Sequence, residues 1–332
     1  MIGQETRDVE RKITAILKVL SDSADPVGGR VISRRLKEQG VDLNERTVRY
    51  HLKIMDERGL TQPIGRRDGR TITEPGLEEL RSALVCEKVG FATSRIELLA
   101  YLTTFDPEAF TGDIPVDVSL FPRKQFAQAW DIMRDVFQSG FYISSLVAVA
   151  TAGDKLGNIV VPQDKIGMAT VCNAAVIGAL LKSGIPIDSR FGGILQIRNH
   201  EPVRFVELIE YNGCTLDPFE AFIAGKMTNV LGAAKLGEGK ILASFHEVPF
   251  PSRSETEAII DKLKTLNLCH LAITGKAGQS ICEIPATANR AGLTLPSGLN
   301  AVAAVVEKGI EVTCRPMNGV IDIGKLKGFQ NL

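Results

Sequence analysis

The spacing of apolar and polar positions in the first eighty residues predicts three short helices followed by a hairpin. Between residues 9 and 20, one helix face collects the apolar side chains Ile13, Ile16, Leu17 and Leu20. The loop SDSADPVGG separates this helix from a second one, which begins near Val31 and ends at Gly40. Asn44 can cap a third helix, because its side chain can accept a backbone N–H of the first turn.

The third helix has an apolar face and a basic face. Its apolar stripe contains Val48, Leu52 and Met55, and its opposite stripe contains Arg46, Arg49, Tyr50 and Lys53. After this helix, the segments TQPIGRR and RTIT flank an Asp-Gly pair, which favours the tight turn of a hairpin. This order is typical of a winged helix-turn-helix, in which the third helix reads the major groove of DNA.

The charge distribution favours a local nucleic-acid surface. The chain carries 39 basic and 39 acidic residues, which excludes a uniformly basic protein. Residues 30–70 contain 11 Lys and Arg against 6 Asp and Glu. Within them, we predict DNA contacts by Arg46, Thr47, Arg49, Tyr50, Lys53, Arg66, Arg67 and Arg70. The alternatives are a merely solvated helix face, or a winged helix that serves as a protein-interaction module.

The rest of the chain predicts a connector and a duplicated body. Residues 82–104 have the pattern of a helix that could also carry a dimer contact. With an offset of 125 residues, 146–193 aligns with 271–318, and nine of the 48 pairs are identical. Each copy predicts the order βαββαβ. We therefore predict an α+β fold: a winged helix-turn-helix (1–81), a helical connector (82–112) and a two-lobed α/β regulatory domain with pseudo-twofold duplication (113–332).

Two lobes predict a cleft, which is a usual place for a small ligand. The second helix of each copy starts with small polar residues, and the free N–H groups of such a start suit an anion. Two arginines occupy matched positions after these helices, and Lys165 and Arg290 are a weaker matched pair. The candidate effector residues are Thr170, Cys172, Asn173, Arg190, Ser297, Gly298, Asn300 and Arg315.

Catalysis finds little support in the sequence. The histidines His200, His246 and His270 stand in no nucleophile or metal pattern, so we expect neither an enzyme nor a bound metal or cofactor. A helix start could lower the pKa of the Cys172 thiol, but a packed small residue is the favoured interpretation.

Composition bears on localisation. The six cysteines show no C-x-x-C spacing, which favours reduced thiols over a zinc site or disulfides. The chain has no apolar run of about 18 residues, and its start, MIGQETRDVERK, is charged. We therefore expect no membrane span and no signal peptide, and a cytoplasmic location.

Five segments together resemble the NrpR nitrogen regulators of archaea, over nearly the whole chain. They are ERTVRYHLKIMDERGLT, KVGFATSRIELLAYLTTFDPE, ATVCNAAVIGALLKSGIPIDSRFGG, YNGCTLDPFEAFIAGKMTNV and GLNAVAAVVEKGIEV. The resemblance implies a dimeric or larger homo-oligomeric repressor of nitrogen-assimilation genes. It further implies binding to an inverted-repeat operator in double-stranded DNA, and release when the dicarboxylate 2-oxoglutarate binds the regulatory region.

This chain departs from the family pattern at three positions. It has Ser297 and Ala301 in SGLNA where the family usually has GGLNP, and His246 in SFHEVP where an arginine is usual. Two other functions therefore stay open. One is a winged-helix regulator that senses a different anionic metabolite, and the other is a metabolite-binding enzyme or carrier with a winged-helix interaction module.

Overall fold

The computed structural model describes residues 2–23, 25–38, 40–65, 69–83, 90–276 and 279–331. The chain divides into two compact units, residues 1–88 and residues 89–332. Each unit has its own buried apolar clusters. None of the described helices is long and apolar enough to cross a membrane.

The first unit contains three helices, a two-stranded hairpin and a fourth helix. Its elements are α1 (Ile2–Ser21), α2 (Gly29–Glu38), α3 (Glu45–Glu57), β1 (Thr61–Pro63), β2 (Arg70–Ile72) and α4 (Glu74–Ala83). Asn44 caps α3 as predicted, because its Oδ1 accepts the backbone N–H of Thr47 at 2.9 Å. The apolar stripes of the helices form one core, which includes Ile16, Leu52 and Met55. These elements are those of a winged helix.

The second unit combines seven helices and twelve strands among its described residues. The helices are α5 (Phe91–Leu102), α6 (Phe126–Ser139), α7 (Ala174–Lys182), α8 (Pro218–Ala224), α9 (Val230–Leu236), α10 (Arg253–Thr265) and α11 (Asn300–Glu307). The strands are β3 (Asp113–Pro122), β4 (Leu146–Ala150), β5 (Lys155–Leu156), β6 (Ile159–Val160), β7 (Lys165–Val171), β8 (Asp188–Arg198), β9 (Glu201–Glu210), β10 (Gly239–Pro249), β11 (Ile273–Thr274), β12 (Arg290–Pro296), β13 (Thr313–Asp322) and β14 (Lys327–Gly328). A mixed fold of helices and sheets was expected and is confirmed.

Most strands belong to two five-stranded sheets, which exchange a strand. The first sheet has the order β13-β3-β7-β4-β14, and the second has the order β11-β12-β10-β8-β9. Strand β8, from the first predicted copy, pairs antiparallel with β10 of the second copy. Strand β13, from the second copy, pairs antiparallel with β3 of the first. Each copy therefore gives its last strand to the other sheet, so neither lobe is one continuous segment. The pseudo-twofold relation stays a prediction.

The helices also pack across the two copies. Helix α6 of the first copy packs on α11 of the second, and both contribute to one buried cluster with β8 and β10. Helix α7 of the first copy packs on α10 of the second in another buried cluster. Because each core contains residues from both copies, burial of apolar surface stabilises the two sheets jointly.

Helix α5 falls within the predicted connector but packs as part of the second unit. Its buried residues Ala92, Ile96 and Leu99 lie in one cluster with residues of α7 and β13. The close approach of α5 to α7 depends on Gly178. A Cβ on this glycine would lie 2.5 Å from Cγ2 of Thr103 and 3.1 Å from the carbonyl oxygen of Ala100.

We expect Gly178→Ala to destabilise the second unit by about 1–3 kcal/mol, because the added methyl group overpacks the contact between α5 and α7. The higher helix propensity of alanine, worth about 1 kcal/mol relative to glycine, acts against this destabilisation. The measurement is the free energy of unfolding in urea. Adding Thr103→Ser, which removes the opposing methyl group, should restore part of the loss. A more stable Gly178→Ala variant would contradict the packing argument.

Candidate functional site

Helix α3 presents its predicted basic stripe to solvent. Arg46, Arg49, Tyr50 and Lys53 are all exposed, and Tyr50 keeps 63% of its surface accessible. Arg49 pairs with Glu45, and the Lys53 Nζ lies 3.9 Å from Glu57 Oε1. Exposed ion pairs one helical turn apart contribute little free energy, so phosphate oxygens can replace these carboxylates. Thr47 is half-buried, and its hydroxyl donates to Asn44 Oδ1.

The wing is fixed to α3 by another of the predicted DNA contacts. Arg70 Nε donates to Asp56 Oδ2 at 2.8 Å, and the hydroxyl of Thr61 donates to Asp56 Oδ1 at 2.6 Å. Arg70 therefore orients the hairpin, and Asp56 offsets its charge. The other two wing arginines in the predicted interface, Arg66 and Arg67, lie outside the described residues.

A narrow cavity of about 20 Å³ in the second unit lies where elements of both sheets meet. Its apolar walls include Ile96 of α5 and Met317 of β13. Its polar walls are Asp117, Cys172, Asn173, Tyr211, Asp217 and His246. Two predicted effector residues, Cys172 and Asn173 at the start of α7, are among them. The cavity is therefore the meeting point of the start of α7, the three strands β3, β10 and β13, and the helix α8.

Two buried carboxyl groups dominate the electrostatics of the cavity. Asp117 Oδ1 accepts the backbone N–H of Met317 at 2.8 Å. Asp217 caps α8, and its Oδ1 accepts the N–H groups of Phe219 and Glu220. Burial raises the pKa of Asp117 to about 6. Burial, together with the charge of Asp117, raises the pKa of Asp217 to about 7.

Neutral side chains in and beside the cavity wall form a series of hydrogen bonds. Asn173 Nδ2 donates to Ser244 Oγ at 2.7 Å, and Ser244 Oγ lies 2.7 Å from His246 Nε2. The other ring nitrogen, Nδ1, lies 3.0 Å from Ser189 Oγ. Burial lowers the pKa of His246 to about 3, so its imidazole is neutral at physiological pH. The Oδ1 atom of Asn173 is buried and has no hydrogen-bond partner.

The second predicted helix start, that of α11, also reaches Asp117. A Cβ on Gly298 would lie 2.1 Å from the carbonyl oxygen of Val171 and 3.3 Å from Asp117 Oδ2, so this position requires glycine. Thr170 is buried and stands opposite Asp117 in the pairing of β3 with β7. The structure thus brings Thr170, Cys172, Asn173 and Gly298 together around one carboxyl group.

The remaining residues of the second helix start hold backbone in place. Ser297 is buried, and its hydroxyl oxygen accepts the N–H of Leu299 at 3.1 Å. The buried amide of Asn300 accepts the N–H of Leu242 and donates to the carbonyl oxygens of Phe141 and Leu242. At the α7 start, the N–H of Ala175 bonds to the Cys172 carbonyl oxygen. Few N–H groups are therefore left for an anion.

The predicted arginines lie outside the lining of the cavity. Arg190 donates to Glu247 Oε2 at 3.0 Å and to Thr287 Oγ1 at 3.1 Å. Glu247 is 2% exposed and also accepts the N–H of Thr287, which makes this pair part of the fold. The Arg315 guanidinium is more accessible, and its nearest nitrogen lies 3.7 Å from Glu220 Oε1.

The thiols are not activated. Burial, followed by the charge of Asp117, raises the pKa of Cys172 well above its usual value, so the helix-start effect considered from sequence is wrong for this residue. The five described cysteines are all free thiols. Burial raises the pKa of each of the other four, Cys214, Cys269, Cys282 and Cys314. Among the described residues, no group of His, Cys, Asp and Glu is arranged to hold a metal ion.

Comparisons with known proteins agree with this arrangement of a winged helix and a mixed regulatory unit. Residues 89–328 match the family model of the NrpR regulatory domains NRD1 and 2, and residues 14–80 match the winged-helix domain of ribonuclease R. The chain is 37% identical to the global nitrogen regulator NrpRI of Methanosarcina mazei, over 96% of this chain and 98% of that protein.

The chain belongs to the NrpR family of nitrogen regulators. It is also 30% identical to the global nitrogen regulator NrpR of Methanococcus maripaludis, over 95% of this chain and 55% of that longer protein. A crystal structure of a nitrogen repressor-like protein from Methanococcus jannaschii matches 72% of this chain and 98% of its own, with a TM-score of 0.60 at 23% identity. This last match supports the fold. Family membership makes the chain a transcriptional regulator connected with nitrogen, and not an enzyme.

Sequence reasoning missed four of the six polar residues in the cavity as site residues. The sequence contains a signal for the burial of Asp117, because this carboxylate lies inside the mostly apolar stretch IPVDVSLF. The sequence around Asp217 predicts a helix cap, because this residue precedes a proline at the start of α8. His246 was noticed only as a departure from the family pattern. Tyr211 had no distinguishing signal.

We expect Asp117→Asn to change how stability depends on pH. A buried carboxyl group with a raised pKa binds its proton more tightly in the folded chain than in the unfolded chain, so its contribution to stability falls as pH rises from about 4 to about 7. Asparagine keeps the acceptor for Met317 and cannot ionise. The stability of the variant relative to the unmodified chain should therefore rise between about pH 4 and about pH 7 and stay constant above that.

The measurement is urea unfolding at several pH values. The exposed Asp164→Asn variant is the control, and its unfolding free energy should follow that of the unmodified chain. If the unfolding free energy of Asp117→Asn showed the same pH dependence as that of the unmodified chain, Asp117 would not titrate in this range.

Proposed function

We propose that this nitrogen regulator is a repressor that binds an inverted-repeat operator in duplex DNA as a homodimer and is released by 2-oxoglutarate. We further propose that it acts in the cytoplasm and that its regulatory unit arose by internal duplication. The observation that carries the DNA-binding part is the solvent-exposed basic stripe of α3, opposite its buried apolar face.

The basic stripe has the properties of a major-groove reader. Its cations are held only by exposed carboxylates, and the flexible side chains can turn toward phosphates or base edges. Two such helices in a symmetric dimer would enter successive major grooves about 34 Å apart. Arg70 contributes by orienting the wing, because it already pairs with Asp56.

The effector proposal rests on Arg315 more than on the cavity itself. The cavity is lined by two carboxyl groups, which repel a dicarboxylate. Arg315, by contrast, has a long contact with Glu220 and is 46% exposed. A ligand carboxylate can replace Glu220 at this guanidinium. Arg190 is a weaker candidate, because its partner Glu247 is buried and held by further hydrogen bonds.

A path for coupling begins beside Arg315. Met317, two residues along β13, donates its N–H to Asp117 and accepts a hydrogen bond from Arg95 Nε at 2.8 Å. Arg95 belongs to α5, which is the first described helix after the winged-helix unit. A shift of β13 on effector binding would therefore reach α5 directly. A tenfold loss of operator affinity needs about 1.4 kcal/mol of coupling between the two sites.

A different anionic metabolite is the second candidate effector. This candidate stays open because Ser297, Ala301 and His246 differ from the residues usual in the family. Ser297 and Ala301 are buried and serve packing, whereas His246 lines the cavity. His246 is therefore the departure that bears most on which ligand binds. Its imidazole is neutral at a position where the family usually has a positively charged arginine.

We expect Arg49→Ala to weaken operator binding about 5- to 150-fold, as is typical when an arginine contact to DNA worth about 1–3 kcal/mol is lost. The slope of log affinity against log salt should fall by about one, because one phosphate-neutralising cation is removed. Fluorescence anisotropy with a labelled duplex from upstream of a glutamine synthetase gene measures both quantities. Arg134→Ala, a surface arginine of the regulatory unit, is the matched control. Equal binding by all three proteins would exclude α3 as the reader.

We expect Arg315→Gln to bind the same duplex normally but to resist release by millimolar 2-oxoglutarate, because the ligand loses its cationic partner. The same anisotropy assay, titrated with the keto acid, gives the concentration for half-release. Arg190→Gln should change that concentration less, provided that it folds. Release of the unmodified protein by other dicarboxylates, but not by 2-oxoglutarate, would support the second candidate effector.

A further inference from the structure

The cavity beside Asp117 contains more hydrogen-bond acceptors than donors. Each of its two aspartates uses Oδ1 for backbone N–H groups, which leaves Oδ2 to other partners. Asn173 adds a third acceptor, because its Oδ1 is buried without a partner while its Nδ2 is engaged by Ser244. Burial of a polar atom without a partner costs free energy, so these oxygens favour a ligand that donates.

The protein supplies few donors to these oxygens. Within the described lining no lysine or arginine is present, and His246 is neutral and bonded on both ring nitrogens to serines. The Cys172 thiol interacts with Asp117, and the Tyr211 hydroxyl offers a single hydrogen. Two buried carboxyl groups thus line one cavity with no positive charge among its described lining residues.

The size and shape of the cavity restrict the ligand. Its volume of about 20 Å³ holds one water-sized particle. Among the described residues, no group of three or more His, Cys, Asp and Glu side chains could hold a metal ion. A tetrahedral cation with N–H groups matches the acceptors in number and charge, since it can donate to both Oδ2 atoms, to Asn173 Oδ1 and to the oxygen of Tyr211.

We propose that the cavity formed by Asp117, Asn173, Tyr211 and Asp217 is a binding site for ammonium or, at most, methylammonium. This inference goes beyond the proposed function, because it concerns a second ligand of opposite charge at a position distinct from Arg315. The bound cation would connect β3, α7 and α8, which carry the acceptors. It would thereby stabilise the arrangement in which α5 and β13 pack on the cavity.

Protons compete with this cation. Both aspartates have a pKa raised toward neutrality, so at pH 6 they hold protons that a cation must displace. The charged and titratable groups around the pair include the thiols of Cys172, Cys214 and Cys314, the side chains of Tyr211, His246 and Glu220, and Arg315 beyond Glu220. Cation binding favours the ionised carboxylates. The affinity for ammonium should therefore rise from pH 6 to pH 8, with release of a proton.

The test is thermal unfolding of the full chain in 100 mM ammonium, methylammonium or potassium chloride at pH 6 and pH 8. We expect ammonium to raise the midpoint at pH 8 by a few °C relative to potassium, which follows if the dissociation constant is in the millimolar range. The rise should be smaller at pH 6. A bound ¹⁵N-ammonium ion should also give a proton-coupled NMR signal that free ammonium does not.

Two isosteric variants locate the site. Asp117→Asn and Asp217→Asn keep the acceptors for the backbone N–H groups but lose the charge, so the difference between ammonium and potassium should disappear in both. The exposed Asp164→Asn variant should keep the full difference. An ammonium effect that survives in both cavity variants would overturn the proposal.

Calorimetry on the unmodified chain tests the proposal without any variant. Ammonium titrations at pH 7 in two buffers of different ionisation enthalpy should differ by the heat of proton release. Equal effects of potassium and ammonium would mean that the chain does not select a cation with N–H donors, and no effect of either at pH 8 would mean that the cavity binds neither cation. Either result would overturn the proposal. None of these measurements involves DNA or 2-oxoglutarate, so their outcome is independent of the proposed repressor function.

Discussion

The exchange of strands β8 and β13 is the constraint on which the regulatory unit depends. Because β13 completes the sheet of β3, and β8 completes the sheet of β10, the two predicted copies cannot separate without breaking backbone hydrogen bonds. The helices strengthen this link, since each buried cluster combines helices from both halves of the unit. The cavity lies at the place where this exchange brings the two halves together. Its geometry is therefore a property of the whole unit.

Burial of Asp117 follows from the same constraint. Strand β3 is an inner strand of its sheet, between β13 and β7, and the Asp117 side chain on it is buried. The carboxyl group is tolerated because the backbone of β13 supplies an N–H, and its pKa rises because burial removes the carboxylate from water. Polar residues with such costs are commonly retained for function. Here they link the start of α7, the cap of α8 and the exchanged strand.

Local patterns in the sequence were enough for the first unit. The stripe Val48, Leu52 and Met55, the cap at Asn44 and the pairing of β1 with β2 each depend on residues close in sequence, and the winged helix is as expected. The predicted Asp-Gly turn includes Asp68, which lies outside the described residues. The pairing of Arg70 with Asp56 was not foreseen, because a surface arginine has the same sequence pattern whether it contacts DNA or a carboxylate. The matched helix starts were found from the internal alignment, but the partner of each last strand depends on long-range pairing that no local pattern contains. The same holds for Asp217, which approaches Asp117 only in the folded unit.

The strand exchange also has a consequence during synthesis on the ribosome. Strand β3 begins at residue 113, but its edge partner β13 begins only at residue 313, near the carboxyl end of the chain. Until β13 has been made, one edge of β3 in the nascent chain has no partner strand, and the residues of β13 that lie beside Asp117 are missing. Such edges pair readily with other chains. The winged helix, whose described core ends at Leu80, can fold early, whereas the second unit must wait until β13 (Thr313–Asp322) has been made.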